Sequence, residues 1–183
     1  GVFRIVSVVL SALAIALGTA AAWQLTAGLY GRTGSAIVSW PAWVQAIAVF
    51  IGCCGFCILF NTHGRGMVLC MMGGAASWML YLLCRALGCD VYTANLFAAL
   101  LAAVYAETMA RVRRCPAMPY LVIAILPMLP GAGVYYTMSL GLEGKTMEAV
   151  AKGLETLGIA GSLAVGILLV STAVSYTHLT LPT

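Results

Sequence analysis

Pro127-Met128-Leu129-Pro130-Gly131-Ala132-Gly133-Val134-Tyr135-Tyr136 is the stretch on which the fold turns. It interrupts an apolar run from about Met118 to Leu140 that is otherwise long enough to be one membrane-crossing helix. Pro127 and Pro130 each lack a backbone N–H and clash with the preceding turn, while Gly131 and Gly133 loosen the chain further. A straight helix through this stretch is not expected. In lipid the freed backbone groups must find partners, so such a break survives only where it is packed in protein or lines a wet cavity. Two readings follow: a proline kink used for packing, or a broken helix whose ends serve a substrate or ion near the membrane midplane. Tyr135 and Tyr136, just past the break, favour the second.

Outward from the break, the composition states the solvent. Of 183 residues, 63% are hydrophobic and only 8% charged. Soluble domains carry about 25% charged residues, so the chain is expected to be an all-α, polytopic transmembrane helical bundle. About six spans are expected, with the fifth interrupted at Pro127–Gly133. The others are placed at about Val2–Leu29, Ala42–Phe60, Met67–Leu87, Val91–Ala110 and Leu154–Val174, with Glu143–Glu155 as a polar linker that begins an amphipathic lead into the last of them. Residues 1–41 form an N-terminal helix and linker, 42–174 a five-span membrane domain, and 175–183 a tail read as non-native. His178 falls in that tail, and the missing initiator Met marks a fragment or processed product. Tyr30, Trp40 and Trp43 suit an interfacial aromatic belt.

The net charge of +4 does not point to nucleic acid, because the basic residues sit at helix ends. Arg111, Arg113 and Arg114 place the loop after the fourth span, and with it both termini, in the cytoplasm. Seven cysteines are scattered through apolar segments, and Cys53-Cys54-x-x-Cys57 has no second pair or histidine cluster to complete a metal site. They are read as small hydrophobes, with no metal or cofactor expected. Ala94, Ala98, Ala102 and Ala106, and likewise Gly158, Ser162 and Gly166, recur every four residues, a spacing that lets membrane helices approach closely.

Phe60-Asn61 closing one span, the glycine-rich third span, and Ile125 through Tyr135 together resemble the threonine/serine exporter family, in its C-terminal membrane domain or separate small subunit. The resemblance covers about Val44–Val174. It implies export of threonine, serine or related small metabolites across the bacterial cytoplasmic membrane, driven by the proton gradient. It also implies a partner: the family's other half, on the same chain or as a separate subunit, in an oligomer.

A zwitterionic amino acid needs donors for its carboxylate and acceptors for its ammonium. The break can offer both, as N–H groups at Gly131 and Gly133 and carbonyls freed by Pro127 and Pro130. Tyr135, Tyr136, Asn95 and Asn61 are the further substrate-binding candidates. Each has a structural alternative: ring packing beside the kink, an interhelical amide bond, or a helix-end cap. Glu107 is the one acid well inside a span, either a proton relay or the partner of Arg111 at i,i+4. His63 titrates near neutrality and is either a proton handler or a solvated loop residue. An intramembrane enzyme is disfavoured: no Gly-x-Ser-x-Gly and no His/carboxylate cluster occurs. The stronger rival is a non-transporting assembly subunit whose partner carries the pathway.

Overall fold

A computed structural model describes Val6, residues 41–62 and residues 64–180. The expected first span, the Tyr30–Trp40 link and His63 lie outside the described residues. Among the described residues there are six α-helices and no strand: α1 (Ala42–Leu59), α2 (Arg65–Ala86), α3 (Val91–Arg113), α4 (Met118–Ile125), α5 (Gly131–Leu142) and α6 (Thr146–Thr180). A single 3₁₀ turn, Leu126–Met128, follows α4. The protein is an all-helical membrane bundle. Four helices are apolar and long enough to cross a membrane, and α4 with α5 adds a fifth crossing if the interrupted pair is one span.

The surface confirms the solvent. On α1, Trp43, Ile47, Ile51 and Ile58 are exposed whereas Cys53 and Cys57 are buried. Large side chains outside and small ones inside is the pattern that lipid selects, since helix association there comes from close packing rather than from hiding apolar area.

Helix ends are set locally. Asn61, Gly88, Arg114 and Gly144 each adopt a positive φ one or two residues past a helix. In each case the next N–H reaches back five residues, as in Thr62 to the Cys57 carbonyl (2.8 Å) and Cys115 to Ala110 (3.1 Å). This C-terminal motif satisfies carbonyls that the bilayer cannot.

The described residues fall into two compact units. The larger comprises residues 41–129 and 157–180. Within it α2 packs against α1, α3 and α4. The alanine ridge of α3 is fully used: Ala94, Ala98, Ala102 and Ala106 are all within 1% of complete burial. Against it lies the far part of α6, where a Cβ on Gly158 would meet the Tyr92 ring at 2.6 Å and one on Gly166 would meet the Ala99 Cβ at 2.8 Å. Both partners rise together along the sequence, so α3 and this part of α6 run parallel.

The smaller unit, Pro130–Thr156, holds α5 and the start of α6. Its two helices interlock reciprocally. Thr156 occupies the space over Gly133, and a Cβ on Gly153 would lie 3.3 Å from the Thr137 methyl. Each threonine hydroxyl donates back to its own helix, Thr137 to the Gly133 carbonyl (2.8 Å) and Thr156 to that of Lys152 (2.7 Å). The methyl groups are thereby left facing the partner helix. The turn is closed by a Lys145–Glu143 ion pair at 3.1 Å, which raises the Lys145 pKa above its ordinary value.

One expectation is corrected here. The polar linker is only Glu143–Lys145, because α6 already starts at Thr146. Glu148, Lys152 and Glu155 fall at i, i+4 and i+7 on one face, and Lys152 pairs with Glu155 at 2.8 Å. Charges so arranged are compatible with a helix. At 35 residues α6 is about 52 Å long, well beyond a hydrocarbon core of roughly 30 Å.

Candidate functional site

The site is built from the interruption. Pro127 cannot donate, so the Ile123 carbonyl four residues earlier has no helical partner. It is not left bare: the Cys53 thiol of α1 donates to it at 3.7 Å. Gly74 of α2 makes the meeting possible, since a Cβ there would lie 2.5 Å from the Cys53 sulfur and 3.4 Å from the Ile123 oxygen. Pro130 likewise deprives the Leu126 carbonyl, which instead accepts the Leu129 N–H at 3.3 Å as the 3₁₀ turn closes. Each freed carbonyl thus accepts one hydrogen bond from within the chain. The chain satisfies both itself, as a dry environment demands.

The donor half of the expectation fares differently. α5 begins at Gly131 with no side-chain cap, leaving the first-turn N–H groups of Gly131 and Gly133 without one. Gly131 has open space around it, whereas Gly133 is closed by Thr156. Beyond them, Tyr135 and Tyr136 are partly exposed, their rings edge to face with centroids 5.4 Å apart. Neither hydroxyl has a hydrogen-bond partner among the described residues.

The remaining candidates do not converge. Asn95 is buried, and its amide donates to the Val91 carbonyl of its own helix at 2.8 Å. One of its two N–H donors is thus used within its own helix. Glu107 lies twelve residues further along α3, about 18 Å away along the axis, so the two do not share a site. Glu107 is half-buried, and the expected pair with Arg111 is not formed: the ion pairs among the described residues are Lys145–Glu143 and Lys152–Glu155. Asn61 serves as the left-handed residue that ends α1, a conformation asparagine tolerates better than most.

A groove of about 270 Å³ runs beside the break, lined by Ala48, Gly52, Cys53 and Phe56 of α1 with Leu126 and Pro127. Its walls are apolar. It suits an acyl chain or an apolar side chain, and offers nothing to the two charges of an amino acid.

Sequence reasoning missed Trp78. Its indole nitrogen is the one buried side-chain polar atom without a partner among the described residues. The ring lies against a cluster containing Ala98, Ala102, Ile125 and Met128, at the near edge of the break. An unpaired buried donor costs about 1–3 kcal/mol. The Trp at 78 could have drawn notice, since it sits mid-span rather than in the interfacial belt, but the lack of an acceptor is a tertiary fact.

Against this geometry stands one match: the family described as Threonine/Serine exporter, ThrE, covers residues 45–173. The chain belongs to the threonine/serine exporter family. The matched region spans α1 through the membrane part of α6, with the interruption inside it. No curated protein and no solved structure gives a significant match to the chain. Membership of this exporter family makes the protein a multi-pass transporter of exporter type acting on small molecules.

Proposed function

We propose that this chain is the membrane domain through which threonine, serine or closely related metabolites leave the bacterial cytoplasm, driven by the proton gradient. The observation that carries the reading is an interrupted span inside the region matched to the exporter family. Substrate is assigned to the interruption: Pro127 and Pro130 as its formers, Gly131 and Gly133 as N–H donors to a carboxylate, and Tyr135 and Tyr136 as hydroxyl groups beside it. Asn95 and Asn61 are secondary candidates, each with a structural task that already accounts for it. Proton coupling is assigned to Glu107, a half-buried acid outside the two ion pairs, with His63 as the second titratable group. The domain extends over 42–174, and the family's other half is its partner in an oligomer.

The test is efflux of labelled threonine and serine from loaded cells expressing the chain alone and with that other half. Efflux that needs the gradient, and that Glu107→Gln uncouples from pH, supports the reading. Absence of efflux in both cases, with both proteins verified in the membrane, rejects it in favour of an assembly subunit.

A further inference from the structure

Trp78 is the fourteenth residue of α2, about 20 Å from the start of the helix and about 12 Å from its end. That is too deep for the headgroup region, where membrane tryptophans ordinarily pay out their N–H to water and lipid. Its indole nitrogen is sealed from solvent and has no acceptor among the described residues. Around it, polar groups of the same bundle have all been satisfied locally. Ser77 donates to the Gly73 carbonyl at 2.9 Å, Asn95 to Val91, and Tyr105 to the Leu69 carbonyl at 2.7 Å. The cluster the ring packs against is Ala98, Ala99, Ala102, Ala124, Ile125, Met128 and Leu163, in which the Met128 thioether is a weak acceptor and the other side chains accept nothing. Tyr81 stacks at 5.1 Å, tilted by 33°, and fixes the indole plane. Phenylalanine would fill this place without an orphaned donor, so the N–H is the feature that needs an account.

An indole is a donor only. Of the two charged groups of an amino acid, the ammonium cannot accept a hydrogen bond and the carboxylate accepts a strong one. We infer that Trp78 is a substrate-contacting residue, whose Nε1–H donates to the carboxylate of the transported amino acid where the substrate passes the Ile125–Met128 end of the interrupted span. This rests on the exporter reading and deepens it: it names a specificity contact for the carboxylate in a core where, among the described residues, no basic side chain is buried.

The experiment uses the full chain in lipid nanodiscs with indole-¹⁵N tryptophan. The chain has four tryptophans. Replacing Trp23, Trp40 and Trp43 by Phe identifies the Trp78 resonance while leaving that residue in place. L-threonine is titrated in, and 1-amino-2-propanol, which lacks the carboxylate, serves as the comparison. Binding of labelled threonine is measured on the same samples. The expected result is a saturable shift of the Trp78 N–H with threonine but not with the amine, and binding about tenfold weaker in Trp78→Phe, as loss of one hydrogen bond to a charged group entails. Threonine binding without movement of Trp78, or equal movement with the amine, overturns the assignment alone. Absence of threonine and serine binding by the unaltered chain overturns the exporter reading and the assignment with it.

Discussion

Gly166→Ala is the sharpest perturbation of the bundle, because the obstacle is mostly backbone. A Cβ there would sit 2.8 Å from the Ala99 Cβ, 3.0 Å from the Leu96 oxygen and 3.3 Å from the Leu100 nitrogen. Carbon atoms rest at about 3.5–4.0 Å, so α6 must withdraw from α3 by roughly 0.7–1 Å, with no flexible side chain to yield instead. Overpacking of this kind costs about 1–3 kcal/mol, and the helix preference of alanine over glycine returns about 0.5–1 kcal/mol. The net loss is on the order of 1–2 kcal/mol, or a fall in Tm of about 2–8 °C for a chain of this size. Gly161, on the same helix, has nothing within 4 Å. Gly161→Ala therefore collects only the helix gain, and its Tm should hold or rise by about 1–4 °C. Thermal release of the buried thiols to a fluorogenic maleimide in detergent measures both. If Gly166→Ala melts at or above Gly161→Ala, the parallel α3–α6 contact is not as described.

Cys53→Ala leaves the Ile123 carbonyl without its donor and should lower stability by about 1–3 kcal/mol, while Cys53→Ser keeps a donor and loses less; the same thermal assay, read by tryptophan fluorescence, ranks them. In the α5–α6 hairpin, Gly133→Ala must displace Thr156 and should hasten backbone hydrogen exchange across Pro130–Thr156, whereas Gly131→Ala, in open space, should leave it unchanged. Gly131→Leu should abolish efflux with membrane insertion intact; unchanged efflux removes the carboxylate role of the α5 start. Asn61→Gly preserves the left-handed end of α1 and should keep more of the parent's Tm than Asn61→Val, which strains it; equal Tm values for the two variants would refute that role.

The spans could be read from the sequence because hydropathy over some twenty residues is a sum, insensitive to any one neighbour. The interruption could be read because proline lacks a donor wherever it stands. The ridges Ala94–Ala106 and Gly158–Gly166 were visible as spacing, and the structure packs them. What lay beyond reach were pairings between remote positions. Nothing near Pro127 announces that a cysteine more than seventy residues earlier will shelter the Ile123 carbonyl, or that Gly74 makes room for it. The run from Thr146 to Glu155 reads as a polar, amphipathic lead into the last span, but where the helix itself begins is set by its packing on α5, which the sequence does not display. The reciprocal seating of Thr156 over Gly133 and Thr137 by Gly153 needs two helices in register, which no single-helix pattern contains.

The parallel course of α3 and the far part of α6 fixes how the chain gets from one to the other. α3 ends at Arg113, and the chain rejoins α3 with Gly158 beside Tyr92, close to the opposite end. Between those points the chain must change sides of the membrane an odd number of times.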